Sequence, residues 1–167
     1  EYGYHEIAQG SEFIEDGGSI TINASSDDAM NSLDSFNIVG VLVTITHEDT
    51  ETVNGPLCAV AEPPQDDTVE ATISHADLSA GEADTNSFDF QLNWHNSSLV
   101  NTNVSNMTKA DIESMLDGGG IGFGMHDLVI GVTVQNGGGL GCNSNDDGQD
   151  VSYTIELVSL DYSVNPV

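Results

Sequence analysis

Phe88-Asp89-Phe90-Gln91-Leu92-Asn93-Trp94 places an apolar side chain at every even position and a polar one at every odd position. A period of two sends alternate side chains to opposite faces of the backbone, one toward a core and one toward water, as in a half-buried β-strand. The same phase runs through Val69, Ala71, Ile73 and His75 against Thr68, Glu70, Thr72 and Ser74. It returns in Leu128, Ile130, Val132 and Val134 against Val129, Gly131, Thr133 and Gln135. Phe36 to Ile45 is apolar on both faces, which predicts a central strand. Ile20 and Ile22 predict a short early strand, and Leu57 to Ala61 another, stopped by Pro63-Pro64. In the last stretch Val151, Tyr153, Ile155 and Leu157 share one parity, and Leu160, Tyr162 and Val164 share the other. One extra residue near Val158-Ser159, as a β-bulge or a switch between sheets, accounts for that change. These segments, joined by turn-rich links, predict an all-β fold: an Ig-like or jelly-roll-like β-sandwich of about seven strands with one short helix.

The helix is placed by its cap. Thr108 stands before it, Asp111 follows three residues on, and Ile112, Met115 and Leu116 have the i, i+3, i+4 spacing of one helical face. Asp117-Gly118-Gly119-Gly120 ends it. Residues 19–167 read as a single sandwich domain. Residues 1–18 read as an N-terminal arm, polar with aromatic residues, suited to adding a strand to the sheet of a neighbouring subunit. The long stretch Val151–Val164 is the expected sheet edge.

Charge sets the surroundings. Of the 167 residues only Lys109 carries a fixed positive charge, against 28 Asp and Glu, for a formal net charge of −27. A typical soluble domain has about a quarter of its residues charged, with the signs mixed. Carboxylates of one sign repel one another and oppose compaction, and salt or divalent cations screen that repulsion. Nucleic acid is excluded as a partner, because phosphate binding needs several Lys and Arg to displace counterions. An anionic membrane surface is disfavoured for the same reason. No apolar run reaches the 18 or so residues of a spanning helix. Glu1-Tyr2-Gly3-Tyr4-His5 has no basic or apolar region and reads as a mature end rather than a signal peptide.

Several constellations are candidates for chemistry. Asn143-Ser144-Asn145-Asp146-Asp147-Gly148-Gln149-Asp150 resembles the DxDxDG type of calcium loop, with Asn143, Asn145 and Asp147 at positions one, three and five and Gly148 at the turn. Hard oxygen ligands at alternate positions are what Ca²⁺ takes, so Asn143, Asn145, Asp147 and Asp150 are the expected ligands. The departures are Asn for the first Asp, and Thr154 where a bidentate Glu belongs. Asp27-Asp28 and Asp66-Asp67 are weaker candidates. The histidines His5, His47, His75, His95 and His126 fall in no zinc spacing, and His75 sits in phase with an apolar face, which reads as a core histidine. There is no GxSxG elbow and no P-loop, and the glycine-rich stretch Gly118–Gly124 is followed by no lysine. The chain is therefore read as not an enzyme. Cys58 and Cys142 stand far apart and outside any metal spacing, which predicts one disulfide between them. Asn23, Asn96, Asn103 and Asn106 are Asn-x-Ser/Thr sequons, three of them between Asn96 and Thr108, and predict a glycosylated surface loop.

In its Asp excess and its single Lys109 the chain resembles the acidic secreted proteins of salt-adapted microbes, especially archaea, although the absence of Arg departs from many of them. Its strand pattern resembles the β-sandwich modules of surface layers, pili and appendages to secreted enzymes. The resemblance implies an extracellular or cell-surface, halophilic structural protein that polymerises with itself through strand edges. The alternative is a calcium-dependent carbohydrate-binding module of a secreted enzyme, with Trp94, Tyr153 and Tyr162 as the rings that stack on sugars. The charge yields one test independent of function: the thermal midpoint rises by roughly 5 °C or more between low and molar NaCl, and an unchanged midpoint overturns the screening argument.

Overall fold

The computed structural model describes residues 1–30, 37–48, 52–56, 66–135, 138–139 and 142–165. The expected strand at Leu57–Ala61, Phe36 and Cys58 lie outside these residues. In chain order the strands are β1 (Tyr2–Glu15), β2 (Ser19–Ser25), β3 (Ile38–His47), β4 (Thr52–Asn54), β5 (Thr68–His75), β6 (Leu78–Asp84), β7 (Phe88–Asn93), β8 (Met125–Thr133), β9 (Gly138–Gly139), β10 (Cys142–Asn145) and β11 (Gly148–Leu160). A one-turn helix α1 (Asp27–Met30) follows β2, and the expected helix is α2 (Lys109–Leu116). Alternation placed β5, β7 and β8 because in each of them one face is buried and the other is wet.

Two four-stranded antiparallel sheets make the sandwich, ordered β1-β11-β3-β7 and β2-β8-β5-β6, with a small sheet β4-β10-β9 beside them. The pairing is nested. β1 lies against β11, β2 against β8, β3 against β7 and β5 against β6, so the outermost strands of the chain pair with each other and the innermost form a hairpin. β3 joins β11, and β5 joins β8, to complete each sheet. Counting only these eight strands, the sheets read 1-8-3-6 and 2-7-4-5, which is the order of a jelly roll.

The core fills the space between the sheets: Val41, Val43 and Ile45 of β3, Phe90 and Leu92 of β7, and Val151 and Ile155 of β11 face Val69, Ala71 and Ile73 of β5 and Leu128, Ile130 and Val132 of β8. A second cluster, Val39, Leu116, Val158 and Leu160, lies between the outer face of the first sheet and α2. This second layer is why β3 is apolar on both faces, and why Val158 and Leu160 break the parity of Val151 to Leu157. Capping fixes the helix as predicted. Asp111 N donates to Thr108 Oγ1 at 3.2 Å, and Thr108 N donates to Asp111 Oδ2 at 3.0 Å. Asn37 then ties the helix end to the start of β3, its Nδ2 donating to Leu116 O and its Oδ1 accepting from Gly118 N, both at 2.7 Å.

Three expectations change. The arm drawn over residues 1–18 is the first strand of the roll, paired with β11 from Tyr2↔Leu160 to Glu15↔Gly148, so the sandwich begins at Tyr2 and not at residue 19. Its polar composition reflects an edge strand with little burial rather than a segment outside the sheet. Val151–Val164 is not an edge: β11 runs between β1 and β3, and both of its faces are buried over Leu157–Leu160. The irregularity expected near Val158-Ser159 is there, but the extra residue is on the partner strand. Val158 pairs with Gly40 and Ser159 with Ile38, which leaves Val39 as the bulged residue of β3.

β11 starts at Gly148 with φ +151°, where a Cβ would lie 2.2 Å from Ile14 O. Only glycine lets the chain enter β11 this close to β1. Gly148→Ala is expected to cost at least ~2 kcal/mol in urea melts, because it adds both backbone strain and a steric clash; a variant as stable as the parent would show that β1 yields without cost.

Candidate assembly edge and associated sites

The edge strand β1 has one strand neighbour among the described residues, β11, and on its other side no described strand pairs with it, which makes it a sheet edge among these residues. It is 14 residues long. Natural edges are blunted by Lys, Pro or bulges. β1 contains no Lys and no Pro, and it has one irregularity, between Glu6 and Ala8. Tyr4 and Phe13 stand out from it at 53% and 54% exposure. It also carries the exposed carboxylates Glu6, Glu12 and Glu15.

The expected calcium residues are spread along a strand, a turn and a second strand. Asn143 and Asn145 lie in β10, opposite Asn54 and Thr52. Asp147 and Asp150 are exposed. The Asp147 carbonyl accepts from Asp16 N at 3.0 Å, and Asp150 sits in β11 opposite Phe13. Between them Asp146 Oδ1 accepts from Gly148 N at 3.1 Å, which makes the turn. Thr154 is far along β11, opposite Gln9. The backbone is extended where a calcium loop would curl its alternate oxygens inward. Among the described residues no three His, Cys, Asp or Glu gather as a metal site. Nearby carboxylates have structural tasks: Asp16 Oδ1 accepts from Val134 N at 3.0 Å, and the buried Asp67 accepts from Gln135 N at 2.9 Å.

Cys142 is buried and disulfide-bonded. All four sequon asparagines are exposed. Asn23, in β2, donates through Nδ2 to Asp127 at 2.6 Å. Asn96 Oδ1 accepts from Ser98 N at 3.2 Å and from Ser98 Oγ at 2.6 Å, capping the short 3₁₀ turn Ser97–Leu99. Asn103 and Asn106 lie in the loop before α2, and Asn103 borders a cleft of about 640 Å³ walled by Val104, Ile112, Leu116 and Tyr162. Lys109 is at this cleft, 3.5 Å from Glu113. The three rings assigned to sugar stacking are otherwise engaged. Trp94 Nε1 donates to Ile38 O at 2.8 Å, Tyr153 packs on the main core, and Tyr162 donates to Glu113 O at 3.3 Å.

Sequence spacing did not bring any two histidines together, yet the sheet does. Ser74 of β5 pairs with Asp127 of β8, so His75 and His126 come next on the two strands. Their rings stack with centroids 4.0 Å apart and planes 13° apart, and Trp94 lies 6.0 Å from His75. His75 is nearly buried and His126 fully so, as their apolar phase requires. His126 shares the phase of Leu128, Ile130 and Val132, the one sequence signal that could have located the pair. The other histidines bond to distant strands and loops: His5 to Ser159 and His95 to Tyr2, both at 3.0 Å, and His47 to Gln149 at 3.2 Å.

No family model matches this chain, and comparison with curated proteins finds none similar in sequence.

Burial first, and then the neighbouring His75, hold the His126 imidazole at a pKa of about 4 against an ordinary 6.5; the bond to Gly122 O and the Asp127 carboxylate oppose this without outweighing it. The fold therefore favours neutral His126, and between these two values the unfolded chain carries the extra proton. The stabilisation is complete above pH 6.5 and is lost as pH falls to about 4, a change of about 3 kcal/mol. In urea melts the stability of the parent relative to His126→Leu is expected to fall by this amount over that window. His126→Leu, which cannot titrate, should lack this component of the slope, and an identical slope would contradict the assignment.

Proposed function

We propose that the chain is a non-enzymatic, extracellular or cell-surface structural subunit that polymerises with itself into a filament or surface layer. The observation that carries the reading is β1: a 14-residue edge strand without Lys or Pro, bearing exposed Tyr4 and Phe13. A sheet with such an edge is a template for a second copy. The net charge of −27 makes that association conditional. Carboxylates on both copies repel in dilute buffer, and molar salt or bridging calcium removes the barrier. Calcium enters this reading as a bridge between carboxylates of adjoining copies, and Asp147 and Asp150 offer exposed oxygens for it. The disulfide at Cys142, with Cys58 as its partner, and sugars on the exposed sequons fit an oxidising, secreted setting. Salt-adapted life, archaeal above all, is the setting that this charge fits.

Light scattering and electron microscopy of the purified chain test the reading. In molar NaCl with millimolar calcium the parent is expected to form long polymers, and in dilute buffer to remain monomeric. Tyr4→Lys with Phe13→Lys should abolish polymers and leave the thermal midpoint within a few degrees, because both side chains are exposed. A parent that stays monomeric in molar salt with calcium removes the proposal.

A further inference from the structure

We propose that His75 and His126 form a pH-operated latch on the glycine-rich loop 117–124, with His75 held as an imidazolium while His126 is neutral, and with a second proton on His126 releasing the loop. The protonation states follow from the partners. His75 Nδ1 lies 2.8 Å from Met125 O, and its Nε2 bonds Ile121 O. Carbonyl oxygens only accept, so both nitrogens must donate, and only the imidazolium has both protons. His126 Nε2 lies 3.2 Å from Gly122 O and must donate, whereas its Nδ1 is buried without a partner. That is the neutral Nε2–H tautomer, with a bare Nδ1 lone pair. The cationic ring rests on the face of the neutral one, at 4.0 Å.

The two imidazoles hold the middle of the loop. Its ends are tied elsewhere: Gly118 N to Asn37 Oδ1 at 2.7 Å, and Gly124 N to Ser26 Oγ at 2.8 Å. Between them Ile121 N and Phe123 N bond only inside the loop, to Gly118 O and Gly120 O. The carbonyls of Ile121 and Gly122 reach the histidines. Gly122 lies flush on Ile38 and Trp94, so opening the loop uncovers both.

A second proton has no place in the closed state. It would lodge on Nδ1 of His126, where no acceptor waits, and set two like charges 4.0 Å apart in a buried site. The groups around the pair do not cancel this. Asp127, next to His126 on β8, favours its charge but is engaged by Asn23. Asp77 lies in the exposed turn after His75. Asp117, at the loop's start, accepts from Gly119 N at 2.8 Å. Asp27 opens α1, exposed beyond Ser26. Leu78 of β6 and Trp94 bring no charge.

Imidazole ¹⁵N shifts of the intact protein read the protonation directly. His75 is expected doubly protonated, and His126 in its Nε2–H form, at pH 7. Hydrogen exchange of amides 119–123, corrected for intrinsic rates, should show opening rise roughly 100-fold from pH 7 to pH 4. Fluorescence of Trp94, the chain's single tryptophan, should shift to the red as its cover leaves. His126→Phe keeps a stacked ring without a second proton, and its loop should stay closed at pH 4. A singly protonated His75 at pH 7, or parental loop opening that does not change with pH, overturns the latch. Should His126→Phe fail to fold, the ¹⁵N titration and the exchange profile of the parent decide alone.

Discussion

The structure depends on β11 finding two partners at once. Along its length β11 bonds β1 on one side and β3 on the other, and it sends Val151 and Ile155 into the main core and Val158 and Leu160 under α2. Sheet order, the second apolar layer and the position of the helix all follow from that one strand. The bulge at Val39 belongs to the same constraint. It lets β3 keep pairing with β11 while the strand pair passes from the sandwich interior to the helix-covered end. Gly148 marks where β11 enters, at the closest approach of its backbone to β1.

Among the described residues the fold places almost every carboxylate on a wet face. Between the sheets the side chains are nearly all aliphatic, and the buried carboxylate Asp67 accepts a backbone N–H. Repulsion therefore acts between exposed groups, where ions reach it, and leaves the core energetics alone. The buried titratable groups of the described core are Asp67, His75 and His126, and each is met by backbone hydrogen-bonding groups.

The parts of the fold legible in the sequence are those with one dry face and one wet one. Val69 to His75, Phe88 to Trp94 and Leu128 to Val134 became β5, β7 and β8, and Thr108 with Asp111 fixed the start of α2. β1 and β6 were not legible, because both are edge strands with mostly exposed side chains and no clean alternation to detect. The bulge was legible in position but not in ownership, since parity along one strand does not say which member of a pair holds the extra residue. The stacked histidines needed the register of β5 against β8, which no single strand contains. The candidate calcium stretch had the spacing of a loop, and pairing with Thr52–Asn54 draws its first half into a strand instead.

Nested pairing also sets an order of events for a growing chain. The β5–β6 hairpin is local and closes the shortest loop, whereas each outer pair closes a longer one, with an entropy cost that rises slowly. The pair β1–β11 joins the two ends of the roll, so β1 stays without its partner until β11 has been synthesised. Throughout that interval the chain carries a long open strand, and a net charge of −27 sets mutual repulsion against contact between half-made copies.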